Sequence, residues 1–263
     1  MLVIVWVSAA IEEGGIGHRA CVNVHVGTSG WSYAHWDGVL YPPATPARNR
    51  LDHYVRRFHT VELNASFYRW PRTATFAGWR RRLPDGFQLS VKAPRVLTHA
   101  KKLSAPEEWL QRIASDWQEL GDKRAVLLVQ LPPGQQRDDA RLAYFLDLLP
   151  DSIRAAVEFR HPSWHDDTVF EILQRHGVAY CVMSGARLPC VLRATAPFVY
   201  LRLHGPDPDH LYAGSYPRES LAWWADRIRE WTGQGREVYA YFNNDGEGNA
   251  VRDAEALRLL LDR

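Results

Sequence analysis

Short apolar runs rich in β-branched and aromatic residues alternate with longer amphipathic runs eight times along the chain. The two kinds of run can be separated, because apolar residues recur at every second position in a half-buried strand and every third or fourth in a surface helix. The pattern predicts eight strands, at residues 22–28, 60–64, 87–92, 125–130, 155–160, 178–183, 198–204 and 237–243. It also predicts seven helices, at residues 48–58, 73–82, 106–120, 138–149, 168–176, 218–231 and 250–262.

The regular alternation of strands and helices indicates an α/β domain with a parallel sheet. Eight units favour a single (β/α)8 barrel of the TIM type, although the pattern alone also allows an open, doubly wound sheet. One helix is expected to be missing or reduced, because residues 184–197, between strands six and seven, form a short interval with two prolines. The barrel domain is predicted to span residues 21–263, and the apolar start, residues 1–20, is interpreted as a loose extension.

Polar side chains recur on one face of the predicted strands. Side chains alternate between the two faces of a strand, so in a barrel one set points inward and the other meets the helices. In the second strand Val61 and Leu63 share the apolar face, which leaves Glu62 and Asn64 on the other. The same division assigns six ionisable side chains to the interior: Glu62, Lys92, Glu158, Arg160, Arg202 and His204. Because barrel interiors normally hold branched apolar residues, we expect a polar site at the carboxyl ends of the strands, or else a buried network of ion pairs.

Composition and charge narrow the classes of function. The chain has 46% hydrophobic and 24% charged residues, as ordinary globular proteins do. A formal net charge of +2 without a clustered basic run argues against a nucleic-acid or membrane partner. Cys21, Cys181 and Cys190 are an odd number and lack CxxC spacing, so neither a disulfide framework nor a zinc ribbon is indicated. We therefore expect a reducing compartment and a cytoplasmic protein.

Motifs at the predicted strand ends resemble those of one family. They read GTSGWSYAHW from Gly27, VELNASFYRWP from Val61, VEFRHPSW from Val157, YLRLHG from Tyr200 and VYAYFNNDGEGNA from Val238. In this order they resemble the DUF72 (YecE-like) family, from about Val24 to the carboxyl terminus. The resemblance implies a TIM-type barrel of unestablished function, and likeness of fold does not transfer a reaction. Ala65 departs from the family pattern, in which a hydroxyl residue is expected, and this affects a secondary contact only.

Four inward side chains are candidates for acid–base catalysis: Glu158, Lys92, His204 and Glu62. Lys92 ends the third strand, where burial or cationic neighbours could lower its pKa enough for base or Schiff-base chemistry. The alternative is an ion-paired lysine that holds Glu62 or Glu158. Nine further side chains are predicted to bind the substrate, with the two arginines holding negative charge: Asn64, Tyr68, Arg160, His161, Trp164, Arg202, Asn243, Asn244 and Trp31.

Aromatic residues are concentrated in the predicted loops after strands one, two and five: Trp31, Tyr33, Trp36, Phe67, Tyr68, Trp70 and Trp164. A mouth lined with rings suits stacking on a sugar or a nucleobase. Packing of large rings beneath long loops explains the same pattern equally well.

These residues support one leading hypothesis and two alternatives. The leading hypothesis is an enzyme, a hydrolase, isomerase or lyase, that acts on a small anionic or sugar-like substrate by acid–base chemistry. The first alternative is a non-catalytic module that binds a nucleic-acid strand or a protein. The second is a metal-dependent phosphoesterase, with ligands drawn from Glu62, Glu158, His204 and Asp245. No HxH or HExxH spacing supports a divalent metal, so neither a metal site nor a cofactor is predicted.

Overall fold

The computed structural model describes residues 24–262, and in this part of the chain eight parallel strands form one sheet. The strands are Val24–Thr28 (β1), Thr60–Leu63 (β2), Gln88–Lys92 (β3), Arg124–Gln130 (β4), Ala155–Glu158 (β5), Ala179–Ser184 (β6), Phe198–Leu203 (β7) and Glu237–Phe242 (β8). From β2 to β8 each strand pairs with the next, and β8 pairs with β1. A parallel bridge between Ser29 and Glu62 connects β1 to β2, so the sheet curves into a nearly closed barrel. The predicted TIM-type barrel is confirmed.

Helices connect the strands and surround the barrel. They are Arg50–Tyr54 (α1), Ala65–Tyr68 (α2), Thr73–Arg82 (α3), Glu107–Glu119 (α4), Asp139–Asp147 (α5), Asp167–Arg175 (α6), Arg218–Gly233 (α7) and Asn249–Leu261 (α8). α1 is shorter than predicted at both ends, because Ala47–Asn49 form a separate 3-10 turn before it and the helix ends at Tyr54, four residues early. The sequence pattern does not predict α2, which is a single turn. Within the described chain no helix lies between β6 and β7, as the two prolines indicate.

The barrel wall separates two cores, as the alternation along the strands predicts. Val61, Leu89, Val157 and Leu201 face the helices and belong to the larger core. A smaller core fills the barrel axis, and its members include Val126, Leu128, Ala156, Cys181, Met183, Phe198, Tyr200, Tyr239 and Tyr241. On the inward faces Glu158 and Arg202 come two residues after the core members Ala156 and Tyr200, and Lys92 comes two residues after Ser90. The ionisable residues therefore lie above an apolar plug, at the carboxyl ends of the strands.

A polar cluster closes the opposite, amino-terminal end of the barrel. Glu237 lies 2.9 Å from Nε2 of His25, accepts a hydrogen bond from the hydroxyl of Tyr239 at 3.0 Å, and forms an ion pair with Arg154 at 2.7 Å. Burial raises the pKa of Glu237, but His25 and Arg154 outweigh burial and lower it to about 2. Glu237 is therefore an ionised carboxylate surrounded by hydrogen-bond donors, and this cluster stabilises the base of the barrel.

Backbone strain is concentrated at the carboxyl ends of the strands. Within residues 24–262, every residue other than glycine with a positive φ lies in a loop that leads from a strand to the next helix or strand: Ala44, Lys102, Leu103, Ala105, Arg187, Tyr212 and Glu247. Such conformations cost about 1–3 kcal/mol each and persist where the surrounding structure imposes them, often at functional sites. A functional site is therefore expected on this face of the barrel.

Some features predicted from the sequence lie outside residues 24–262. The predicted extension, residues 1–20, lies outside them, as do Cys21 and the predicted start of the first strand at residue 22. Between residues 24 and 262, no helix has the length and apolar character needed to cross a membrane.

Candidate active site

Arg202 lies at the centre of the polar cluster inside the barrel. Its guanidinium is fully buried and donates to Glu158 Oε2 at 2.6 Å and to Glu62 Oε1 at 2.8 Å. Burial lowers the pKa of Arg202, but the two carboxylates outweigh burial and raise it well above its usual value. Glu62 also accepts hydrogen bonds from Ser29 and, at 2.7 Å, from the hydroxyl of Tyr200. One arginine therefore joins two carboxylates from strands β2 and β5, which are not neighbours in the sheet.

Arg160 completes the charge balance of this cluster. Its Nε donates to Oε1 of Glu158, the carboxylate that Arg202 contacts through Oε2. Burial raises the pKa of Glu158, but the two guanidiniums hold it well below its usual range. Two carboxylates and two guanidiniums thus cancel, and each has an oppositely charged partner. A buried network of this kind is tolerated only when every charge is paired.

His204 is buried beside the same network in its neutral form. Burial and the nearby Arg202 hold the pKa of His204 well below its ordinary value. Because a guanidinium can only donate, Nε2 of His204 accepts from Arg160 at 3.2 Å. The ring proton then lies on Nδ1, 3.2 Å from the side-chain amide of Asn243, and this amide accepts it with its oxygen turned towards the ring. Both ring nitrogens are therefore engaged by protein groups.

A cavity of about 500 Å³ opens above the network. It is bounded by the loops after β1, β2, β7 and β8 and by the last residue of β3. Five of the predicted site residues line it: Trp31, Asn64, Tyr68, Lys92 and Asn243. Tyr33, Tyr212 and Asp245 line it as well, and burial raises the pKa of Asp245. The cavity therefore combines several rings with amides, one carboxyl group and one amine.

Lys92 supplies that amine. The side chain is 8% exposed, and Nζ lies 4.3 Å from the centroid of the Phe67 ring. Both buried carboxylates bind Arg202 instead, and within residues 24–262 the amine has no ion-pair partner. Burial and the charge of Arg202 lower the pKa of Lys92 to about 7. At neutral pH roughly half of the Lys92 amines are therefore uncharged, whereas an ordinary lysine is almost fully protonated.

Four predicted catalytic residues thus separate into two groups. Glu62, Glu158 and His204 lie in the buried network, where arginine or amide groups occupy their polar atoms. Only Lys92 lines the cavity. The predicted binding residues Arg160 and Arg202 also lie in the network, with side chains that are 6% and 1% exposed.

Trp164 lies outside the cavity, although the sequence predicts that it contacts the substrate. Its ring is buried and stacks on Phe159, with centroids 4.7 Å apart, and its Nε1 donates to the backbone oxygen of Gln135 at 2.8 Å. Phe159 belongs to the outer core, so Trp164 packs on the helix side of the barrel wall. Stacking on Phe159 therefore places the Trp164 ring outside the residues that line the cavity.

Two other predicted binding residues have local structural partners instead of a place in the cavity. The side-chain amide of Asn244 donates to Asp253 at 2.7 Å, which ties the loop after β8 to α8. The ring of His161 accepts from the backbone N–H of Ser163 at 3.2 Å and caps the short turn Pro162–Trp164.

Tyr212 and Ser29 contribute to the site without being predicted from the sequence. Tyr212 lies in the irregular segment after β7, where no periodic signal assigns a side chain to a face. Its backbone N–H donates to the backbone oxygen of His204 at 2.6 Å, and the two rings pack with centroids 5.3 Å apart. Ser29 immediately follows β1, and continuing the alternation by one residue past the strand end could have identified it.

Known proteins resemble this chain over most of its length. The family model described as "Protein of unknown function DUF72" matches residues 25–263. The UPF0759 protein YunF of Bacillus subtilis is 27% identical over 270 residues, which cover 91% of this chain and 95% of YunF. A DUF72 family protein from Thermotoga maritima has a crystal structure with a TM-score of 0.82 and 28% identity, over 92% of this chain and 100% of that chain. A DUF72 family structure from Enterococcus faecalis shares the fold, with a TM-score of 0.80 and 18% identity over 91% of this chain and 96% of that one. The chain belongs to the DUF72 family.

Proposed function

We propose that this chain is an enzyme that performs acid–base chemistry on a small, uncharged, sugar-like molecule bound at the carboxyl ends of the barrel strands. The observation that carries the proposal is the amine of Lys92, which borders the cavity without an ion-pair partner in the described chain. Its pKa is lowered to about 7 by burial and by Arg202. A group with a pKa near the working pH can both accept and donate a proton, which is what a general acid–base catalyst requires.

The charges of the site favour an uncharged substrate over an anion. Arg160 and Arg202 are the residues expected to hold negative charge, but both are bound to buried carboxylates. The remaining cation, Lys92, is only partly protonated at neutral pH, and Asp245 places a carboxyl group in the same cavity. A phosphate group would therefore meet one partial positive charge and one group of like sign.

The other cavity residues suit a polyhydroxylated molecule. Trp31, Tyr33 and Tyr68 offer ring faces, which pack against the apolar faces of sugars. Asn64 has a buried amide oxygen without a hydrogen-bond partner among the described residues, and a ligand hydroxyl could satisfy it. Asn243 and Asp245 add further donors and acceptors. These features support a cavity that recognises a ligand through the ligand's hydroxyl groups.

The two alternatives have less support. A metal-dependent phosphoesterase needs free carboxylates, but Arg202 contacts both Glu62 and Glu158, and residues 24–262 hold no group of three or more His, Cys, Asp or Glu placed to bind a metal ion. A module that binds nucleic acid could stack a base on the ring of Tyr68, which is 81% exposed. It would also need a row of basic side chains along the phosphate backbone, and the sequence has no clustered basic run.

Solvent deuterium exchange tests the proposal even though the product is not identified. The protein is incubated in deuterium oxide with glyceraldehyde, dihydroxyacetone, ribose, xylulose, glucose and fructose. Proton NMR then follows loss of the signal from the hydrogen on the carbon next to the carbonyl. We expect exchange of at least one compound well above the buffer rate, because acid–base chemistry at that carbon exchanges its hydrogen with solvent. Glyceraldehyde phosphate and ribose phosphate serve as anionic comparators.

Matched variants assign the activity to the cavity. Lys92→Met removes the amine at nearly constant side-chain length and should reduce exchange to the buffer rate. Lys101→Met alters a lysine in the loop after β3 that does not line the cavity, and should exchange as the wild type does. Equal exchange by the wild type and Lys92→Met, or exchange of the phosphorylated compounds alone, would contradict the proposal.

A further inference from the structure

We propose that Lys92 is a nucleophile that captures the free carbonyl group of an aldehyde or ketone as an imine. This inference rests on the proposed function and deepens it, because it names the substrate class as carbonyl compounds and gives the amine a covalent role. It is carried by the contrast between the buried lysines of this chain and by the surroundings of the Lys92 side chain.

The chain contains four lysines, Lys92, Lys101, Lys102 and Lys123, and two of them are buried. Lys123 is 2% exposed and forms ion pairs with Asp122 at 2.7 Å and Asp85 at 3.4 Å. Burial lowers the pKa of Lys123, but these carboxylates outweigh burial and raise it above its usual value. Lys92 is 8% exposed, lies at the end of an inner strand, borders a cavity and has no such pair in the described chain. A purely structural lysine would resemble Lys123, so the environment of Lys92 calls for another explanation.

The backbone fixes where the Lys92 amine lies. Lys92 is the last residue of β3, and its backbone oxygen accepts a hydrogen bond from the hydroxyl of Ser66 at 2.7 Å. The side chain then passes over the face of Phe67, which positions Nζ at the floor of the cavity. A nucleophile held on a strand end loses little conformational freedom when it reacts.

The charged groups around Lys92 can tolerate both the free amine and the imine. Arg202 and Arg160 oppose a positive charge on Nζ, whereas Glu158 and Glu62 favour one. His204 is neutral and adds no charge of its own. The charges of these four neighbours cancel, so a neutral amine is stable before the reaction. After the reaction, the protonated imine still has negative charge nearby.

The reaction balances with the amine, the carbonyl compound and one proton from solvent. The Nζ lone pair attacks the carbonyl carbon, and one amine proton moves to the carbonyl oxygen to give a carbinolamine. Its hydroxyl group then takes up a proton from solvent and leaves as water, while nitrogen forms the double bond to carbon. Asp245 lines the same cavity and can relay this proton, and burial raises the pKa of its carboxyl group. The products are a protonated imine and one water molecule.

Reductive trapping tests the inference on the intact chain. The protein is incubated at neutral pH with glyceraldehyde or dihydroxyacetone and sodium cyanoborohydride, which transfers hydride to the imine carbon and leaves a stable secondary amine. Peptide mass spectrometry then locates the label among the four lysines. At pH 7 roughly half of the Lys92 amines are neutral, against about one in 3,000 for an ordinary lysine. We expect at least tenfold more label on Lys92 than on Lys101, Lys102 or Lys123.

The outcomes separate this inference from the proposed function. Label on Lys92 that is absent from Lys92→Met and retained in Lys101→Met supports the imine. Label confined to Lys101 and Lys102 overturns it. If deuterium exchange depends on Lys92 but no label reaches that residue, the proposed acid–base function stands and the covalent role is wrong. If Lys92 is labelled but no compound exchanges, the imine is supported and the proposed turnover is wrong.

Discussion

Replacing Lys92 by methionine should stabilise the protein, although it removes the residue on which the proposed chemistry depends. Methionine has a similar length and no charge, so the folded state no longer has to bury an amine that has no ion-pair partner between residues 24 and 262. In the wild type, folding lowers the pKa of Lys92 from 10.5 to about 7. Between these values the unfolded chain binds a proton that the folded chain has released. The stability of the wild type therefore rises with pH across this window.

The size of the effect follows from the two pKa values. At about 1.4 kcal/mol for each tenfold change in proton affinity, burial of the charged amine costs the folded state roughly 5 kcal/mol below pH 7. The cost decreases as the amine loses its proton in the folded protein and then in the unfolded chain. Between pH 6 and pH 9 it decreases by roughly 3 kcal/mol.

Urea unfolding followed by tryptophan fluorescence can measure this difference. The free energy of unfolding is determined from pH 6 to pH 9 for the wild type, Lys92→Met and the control Lys101→Met. The advantage of Lys92→Met over the wild type should shrink by roughly 3 kcal/mol over this range, whereas the control should run parallel to the wild type. Other titrating groups are shared by all three proteins and cancel in the comparison. A constant advantage of Lys92→Met across the range would refute the lowered pKa.

Three further substitutions test the surrounding structure. Arg202→Met should lower the free energy of unfolding by roughly 3–5 kcal/mol in urea titrations, because it leaves Glu62 and Glu158 buried without their shared partner. Trp164→Ala should lower it by a similar amount, roughly 3–5 kcal/mol, yet leave deuterium exchange intact; altered exchange by the folded variant would place Trp164 in the site after all. Glu237→Gln should weaken the loss of stability as the pH falls from 4.5 towards 2, because the ionised carboxylate contributes above its ordinary pKa and loses that contribution in this window. Circular dichroism in acid measures that change.

Much of the fold is predictable from the sequence, because it depends on local periodicity. Alternation along β2, β3, β5 and β7 assigns Glu62, Lys92, Glu158 and Arg202 to the interior, and the structure places all four there. Parity does not depend on distant partners, since it follows from the pleat of a single strand. The short interval between β6 and β7 is predictable for the same reason, because its prolines act locally.

The pairing of charges inside the barrel is not predictable in this way. The sequence allows Lys92 to hold Glu62 or Glu158, but the structure gives both carboxylates to Arg202. That outcome depends on distances across the barrel and on the reach of a planar guanidinium, which can contact two carboxylates at once. Neither quantity is encoded in the alternation along one strand.

The network and the reactive amine are therefore parts of one arrangement. Arg202 satisfies Glu62 and Glu158 together, so neither of these two buried carboxylates pairs with Lys92, and the guanidinium also lowers the pKa of that amine. Arg202 acts as a positioning residue, since it is fully buried and does not line the cavity. In a folded Arg202→Met variant the freed carboxylates should attract the proton of Lys92 and raise its pKa. Trapping of Lys92 at neutral pH should then fall and recover at higher pH, a shift that loss of stability alone would not produce.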